Sequence, residues 1–144
     1  MSILITGSAG FIGFHLSKLL LSEGFSVCGY DGLTTYYDIN LKNNRNSFLL
    51  KNSNYTFSQG MLEEEKNLDL LFEKYQPEIV IHLAAQAGVR YSLENPRSYV
   101  NSNVVGTFNI MEMAKKYKVK HLLIASTSSV YGSNTDMPFT ENSK

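Results

Sequence analysis

Three glycines spaced three residues apart, Gly7-Ser8-Ala9-Gly10-Phe11-Ile12-Gly13, stand between a short apolar run and a helical pattern. At such a junction each glycine has its own task. Gly7 permits a tight turn, Gly10 lets the backbone approach a pyrophosphate, and Gly13 lets the helix pack closely on the strand. The helix N-terminus then presents free N–H groups and the positive end of its dipole to phosphate oxygens. Asp31 lies 24 residues after Gly7, at the end of the next apolar run. A carboxylate there accepts hydrogen bonds from an adenosine ribose and repels a 2′-phosphate. Asp31-Gly32-Leu33-Thr34 holds no Arg or Lys to receive such a phosphate, so the pattern favours NAD over NADP.

The elements that must position these residues alternate between strand and helix patterns. Ile3-Leu4-Ile5 is a short apolar run that predicts a buried strand, Ile79 to Leu83 is a continuous apolar strand, and Ser26 to Tyr30, Tyr55 to Gln59 and His121 to Ala125 predict three more strands. Between them, Phe11, Ile12, Leu16, Leu19 and Leu20 predict a helix capped by Gly24. Residues 32–54 are polar, with one modest helix near Leu41 to Leu50. Leu68, Leu71 and Phe72 predict the inner face of a helix over Glu63 to Tyr75, stopped before Pro77. Asn95-Pro96 starts a long helix whose apolar stripe is expected at Val100, Val104, Phe108 and Met111. This alternation predicts an α/β fold: a Rossmann-like, doubly wound parallel sheet of about five strands in the order 3-2-1-4-5. Ligands then sit at the carboxyl ends of strands 1 and 4. Asn134 to Lys144 completes no element, and the chain reads as cut rather than finished.

The chain has 144 residues, 43% hydrophobic and 18% charged, which suits one compact domain over 1–144. Thirteen basic and 13 acidic side chains balance, so no general field draws nucleic acid or an anionic membrane. No run approaches a membrane span, Met1-Ser2-Ile3-Leu4-Ile5-Thr6-Gly7 has no basic n-region and too short an apolar run for a signal peptide, and a cytoplasmic location is expected. Cys28 stands alone in an apolar run as a core residue. His15, His82 and His121 lie on separate elements, so no metal site is expected, and His82 reads as a packed residue closing its strand. Glu63-Glu64-Glu65 reads as a solvated helix start. Lys115, Lys116, Lys118 and Lys120 suit a helix C-terminus.

The glycine spacing, preceded by Thr6, resembles the extended branch of the short-chain dehydrogenase/reductases. Three further blocks carry the same resemblance: His82-Leu83-Ala84-Ala85, Ser102-Asn103-Val104-Val105-Gly106-Thr107 and Ser126-Thr127-Ser128-Ser129-Val130-Tyr131-Gly132. Gln86 to Ser92 with Glu94-Asn95-Pro96, and Tyr36-Tyr37-Asp38 followed by Leu41-Lys42 and Arg45, resemble the nucleotide-sugar 4-epimerases, most of all those acting on UDP-glucuronate. The resemblance implies that Gly7, Gly10, Phe11, Ile12 and Gly13 hold the NAD pyrophosphate, and Asp31 the ribose. It also places Leu62, Leu83, Ala84, Ala85, Ala87 and Ser102 against the cofactor. Thr127 matches the catalytic Ser/Thr that hydrogen-bonds the reacting hydroxyl. Ser128 and Arg90 would face the UDP-sugar, Arg90 through its planar fork.

The resemblance further implies a homodimer and a place in polysaccharide biosynthesis. Two departures stand out. An Asp is usual after strand three for the adenine amino group, and Met61 occupies that position. The Tyr-x-x-x-Lys pair of the family is absent from Ser133 to Lys144. The 144-residue chain is therefore expected to be an inactive N-terminal portion. The alternatives are a catalytically silent dinucleotide-binding module and a 4,6-dehydratase. The dehydratases carry an acidic pair where this chain has Ser128-Ser129.

Overall fold

A computed structural model describes residues 1–135 and 137–142. Five strands form one parallel sheet in the order β3-β2-β1-β4-β5: β1 (Ser2–Thr6), β2 (Ser26–Asp31), β3 (Tyr55–Gln59), β4 (Ile79–His82) and β5 (His121–Ile124). Both the class and the order agree with the sequence pattern. β1 lies between β2 and β4, and its residues Ile3, Leu4 and Ile5 are buried on both faces. That burial explains an uninterrupted apolar run in place of alternation. Phe72, Leu68, Ile110 and Val80 pack on one face of the sheet, and Leu21, Leu49 and Tyr55 on the other. Cys28 is buried in the first of these clusters, and burial pushes its thiol up to about 11.

Helix α1 (Phe11–Ser22) closes as expected at Gly24, whose φ of +82° lets the Gly24 and Phe25 amides return to the Leu21 and Leu20 carbonyls. Of the expected stripe, Leu16 and Leu20 pack against the core, but the fully buried positions are others. Gly13, Ser17 and Leu21 are buried, whereas Phe11, Ile12 and Leu19 are exposed. The reason is close approach. Small residues face the sheet, and Ser17 Oγ folds back to donate to the Gly13 carbonyl at 2.7 Å. Helix α2 (Ile39–Leu49) starts at Asp38, whose carboxylate accepts from the Asn40 amide. It turns Lys42 and Asn46 inward, which hydrophobic periodicity cannot reveal. Helix α3 (Glu65–Tyr75) buries Leu68, Leu71 and Phe72 and ends at Gln76, ahead of Pro77.

A short helix α4 (Tyr91–Glu94) precedes the element that Asn95 caps. Its carboxamide accepts from the Ser98 amide, with Pro96 in the first turn. That element runs as α5 (Pro96–Tyr99), a π-helical stretch over Val100–Gly106, and α6 (Thr107–Lys116). The expected stripe is overturned here. Val100, Val104, Phe108 and Met111 are exposed, and Gly106, Asn109, Ile110, Met113 and Ala114 face the core. The stripe stays exposed from Val100, at the start of the π stretch, to Met111 in α6, because the spacing marks an apolar stripe without saying whether the domain itself covers it. The basic end is anchored by acids: Lys116 Nζ donates to Asp69 and Lys120 Nζ to Glu78, each at 2.6 Å. β5 is exposed along most of its length, with Leu123 and Ile124 both open to solvent. Among the described residues no helix is long and apolar enough to cross a membrane.

Candidate functional site

The carboxyl ends of β1, β2, β3 and β4 open into a cleft of 160 Å³. Gly7 begins it with φ +72°, its amide donating to the Tyr30 carbonyl at 2.7 Å. A Cβ at Gly13 would press into the Gly7 carbonyl and stand 2.8 Å from Ser8 Cα, so the first turn of α1 sits directly on the glycine turn. Gly10 occupies the N-cap of α1 and supplies no side chain to the helix amides. The backbone amides at Phe11 and Ile12 are thus left for an anion, while both side chains point to solvent.

Asp31 is tied down on both oxygens. Oδ2 accepts from the Ala9 amide at 3.0 Å and Oδ1 from the Leu33 amide at 2.8 Å. The carboxylate therefore fixes the glycine turn and the 31–34 loop together, and keeps spare lone pairs toward the cleft. Of the residues singled out in the sequence, the cleft brings together Gly7, Gly10, Asp31, Leu62, Leu83, Ala84, Ala85 and Ser102.

It also recruits residues that the sequence alone did not assign. Lys42 lines the cleft, its Nζ donating to the Thr34 carbonyl at 2.8 Å and to Thr34 Oγ1 at 3.1 Å, above the Tyr37 ring. Burial lowers its pKa, and the Asp31 charge opposes that shift. Arg45 reaches from the same helix to the Ala9 carbonyl at 3.3 Å and to the Tyr37 hydroxyl at 3.2 Å. The spacing of Lys42 and Arg45 on one helix face was the available signal. So the Asp31 end of the cleft carries a cation from α2, Lys42, with Arg45 nearby, although residues 31–34 have none.

The floor of the cleft is held by a buried hydrogen-bond chain. Thr6 Oγ1 accepts from the Leu83 and Ala84 amides, both at 3.2 Å, and lies 2.7 Å from His82 Nδ1. His82 Nε2 lies 3.0 Å from Thr107 Oγ1 on α6. With two amides donating to its oxygen, Thr6 gives its single proton to Nδ1. His82 is then neutral, with its proton on Nε2 and directed at Thr107. Burial alone pushes its pKa down to about 4. Asn103 adds a two-point clamp on the Gln86 peptide, accepting from its amide at 2.8 Å and donating to its carbonyl at 2.9 Å.

A second, wider cavity of 720 Å³ opens on the β5 side of that floor and is lined by His82, Ala87, Thr107, Asn103 and Thr127. Thr127 caps the short 3-10 turn Ser128–Tyr131 by accepting from the Ser129 amide at 3.3 Å. Ser128 opens that turn and Arg90 caps α4; both are exposed and neither lines the cavity. Among the described residues no three His, Cys, Asp or Glu side chains gather as metal ligands.

The acidic run at the start of α3 is only partly solvated, contrary to expectation. Glu64 and Glu65 are exposed, but Glu63 Oε2 is buried without a hydrogen-bond partner. The chain turns there because the Tyr30 hydroxyl holds the Met61 carbonyl at 3.0 Å and Asn109 Nδ2 holds the Leu62 carbonyl at 3.0 Å.

Comparison with known proteins agrees with this architecture. The chain matches the family described as GDP-mannose 4,6 dehydratase over residues 4–144. It is 53% identical over 141 residues to a probable UDP-glucuronate 4-epimerase of Rhizobium meliloti (strain 1021), covering 98% of this chain and 41% of that protein. It is 48% identical over 141 residues to the UDP-glucuronate 4-epimerase of Thermodesulfobacterium geofontis (strain OPF15), covering 98% of this chain and 43% of that one. The crystal structure of UDP-glucose 4-epimerase from Bifidobacterium longum in complex with NAD+ and UDP superposes with a TM-score of 0.83 at 27% identity, over 100% of this chain and 42% of that one. The chain thus spans about two fifths of the length of the curated relatives it matches. Within that span, the glycine turn, the strand order and the family match agree, and the chain belongs to the GDP-mannose 4,6 dehydratase family.

Proposed function

We propose that residues 1–144 form the NAD-binding portion of a nucleotide-sugar 4-epimerase, and that the whole protein interconverts UDP-glucuronate and UDP-galacturonate. The observation that carries this reading is the joint placement of the glycine turn, Asp31 and the small-residue floor Leu83 to Ala85 around one cleft. The similarity to UDP-glucuronate 4-epimerases supports the choice of sugar.

The cleft and the second cavity share Leu83, Ala84, Ala85 and Gln86, and this joined groove supports the reading of an elongated dinucleotide. The amides at the start of α1 would hold the diphosphate, with Gly7, Gly10 and Gly13 leaving room for it. Asp31 would accept from the ribose hydroxyls. Leu62, Leu83, Ala84, Ala85 and Ser102 would flank the cofactor, and Ala87 would continue its path into the second cavity. When bound, NAD+ supplies reversible hydride acceptance. The protein's share is orientation. Thr127 would hydrogen-bond the reacting hydroxyl of the sugar, with Ser128 beside it and Arg90 facing an anionic group of the substrate. A proton acceptor is also required, and residues 133–144 contain no Tyr. The 144-residue chain alone is therefore inferred to bind cofactor without turning over sugar. The exposed stripe Val100, Val104, Phe108 and Met111 supports pairing of the whole protein with a second copy.

Calorimetric titration of the chain with NAD+ and NADP+, together with an epimerase assay on the whole protein, tests the reading. Binding of NAD+ with clear preference over NADP+, and conversion of UDP-glucuronate by the whole protein, are expected. Preference for NADP+ would contradict the role given to Asp31. Failure of the whole protein to epimerise any UDP-sugar would leave the silent dinucleotide-binding module as the better reading.

A further inference from the structure

The chain leaving β4 forms no regular element before α4. Ala87 to Arg90 are exposed there, so neither a strand ladder nor a core fixes their shape. Side chains hold this backbone instead. Asn103 Nδ2 donates to the Gln86 carbonyl at 2.9 Å, and Ser92 Oγ to the Val89 carbonyl at 2.6 Å. Between these two points the Tyr99 hydroxyl reaches neighbouring carbonyls, that of Ala87 at 2.8 Å and that of Gly88. Its single proton serves both. Gln86 Nε2 adds a local bond to the Ala87 carbonyl at 3.1 Å.

Three aromatic rings from separate segments fix where that hydroxyl stands. Tyr99 ends α5, and its ring centre lies 6.4 Å from that of Tyr91 on α4. Tyr91 in turn lies 4.8 Å from Tyr36, in the loop before α2. Gly88 passes beneath this group with φ +99°, and a Cβ there would press into the Tyr36 hydroxyl. Yet the peptides so held are exposed. Hydrogen bonds to exposed carbonyls add little to stability, because water replaces them when they are lost. What the arrangement fixes is the shape of a surface. Ala87, Gly88, Val89 and Tyr99 line the second cavity together with Ser126 and Thr127.

We propose that Tyr99 is a positioning residue for the sugar: its hydroxyl holds the Ala87 and Gly88 peptides as a wall of the second cavity and so keeps the reacting hydroxyl of the sugar at Thr127. This assignment rests on the reading of that cavity as the place of the sugar, and it adds a residue that acts through the backbone it holds. Misplacing a reacting group by about 1 Å can cost on the order of a hundredfold in rate. A loosened wall therefore shows in turnover more than in binding. UDP carries no sugar for the wall to orient, and its binding is indifferent to Tyr99.

Steady-state kinetics of the whole protein on UDP-glucuronate, compared with Tyr99→Phe, tests the proposal. The variant keeps the ring and loses the hydroxyl. Its kcat is expected to fall roughly tenfold or more, the size of one hydrogen bond lost from the transition state. KM for UDP-glucuronate, inhibition by UDP and affinity for NAD+ are expected to stay within about threefold of the wild type. The midpoint of urea unfolding should not move. Gly88→Ala disturbs the same wall from the Tyr36 side and is expected to show the same split between kcat and KM, so the outcome does not hang on one variant folding. An unchanged kcat in either variant, with native circular dichroism, overturns the proposal. A loss shared equally by kcat, NAD+ affinity and the unfolding midpoint also overturns it, because it marks a hydroxyl that only supports the fold. If the wild-type whole protein epimerises no UDP-sugar, the functional reading itself falls and takes the Tyr99 assignment with it.

Discussion

The Thr6–His82–Thr107 chain makes the stability of this domain sensitive to acid in a defined window. His82 carries its one proton on Nε2 and accepts from Thr6 at Nδ1. Protonating Nδ1 would set two protons against each other, and Thr6 would have to turn away from the Leu83 and Ala84 amides. The imidazole is also buried, and its pKa is lowered from 6.5 to about 4. Between those values the unfolded chain binds the proton and the folded chain does not. Stability is therefore complete above the unfolded value and falls as pH drops through the window. At ~1.4 kcal/mol per pH unit, lowering pH from about 7 to about 5 removes ~2 kcal/mol through this residue alone. That is a large fraction of the stability of an ordinary domain. Urea unfolding at the two pH values measures the loss, and His82→Gln, which cannot titrate, isolates it from the carboxylates. The wild type should lose ~2 kcal/mol more than the variant on acidification. Equal losses in both proteins would refute the reasoning, and a smaller loss in the wild type would reverse its sign.

Three other outcomes follow from packing and hydrogen bonding. Gly13→Ala drives a methyl group into the Gly7 carbonyl, so thermal unfolding should show a loss of at least ~1–3 kcal/mol, accompanied by loss of dinucleotide binding in a titration. Asn103→Ala removes both hydrogen bonds to the Gln86 peptide and leaves the cleft wall unclamped. It should weaken NAD+ binding by about tenfold in calorimetry, with a stability loss near ~1–2 kcal/mol. Cys28, buried and with its thiol pushed up to about 11, should resist iodoacetamide at pH 8 in the folded chain and react on unfolding in urea, which mass spectrometry reads directly.

The sheet was legible because β1 and β4 are short apolar runs, the other strands are short and bounded by polar or turn residues, and right-handed crossovers leave few ways to order five of them. The glycine turn and Asp31 were legible because their spacing in sequence is their geometry in space. The long helix was not. The repeat identifies an apolar stripe, Val100, Val104, Phe108 and Met111, but not what covers it, and in this domain all four are exposed. In α1 the same counting favoured large residues, while the sheet demanded small ones at Gly13 and Ser17. The inward placement of Lys42 and Glu63 and the clamp of Asn103 on Gln86 were illegible for another reason. Polar side chains leave no mark on a hydrophobic pattern, and what they do depends on partners that only the tertiary structure brings near.

The placement of β1 has a consequence for the order in which the molecule can be made. This strand is made before its partners, yet it lies between neighbours that arrive at very different times: Ser26 to Tyr30 soon after it, and Ile79 to His82 much later. Pairing of β1 with β2 and then β3 closes short loops, whereas docking of β4 beside Ile3 to Thr6 closes a long one, the slower kind of event. Throughout that interval one backbone edge of β1 is open, an invitation to wrong pairing that a nascent chain must survive. Leu83, Ala84 and Ala85 follow β4 directly, so half of the cofactor cleft comes into being only when this last gap is filled. A nascent chain that has reached α3 already carries the complete glycine turn, but it lacks the Leu83 to Ala85 floor of the cleft.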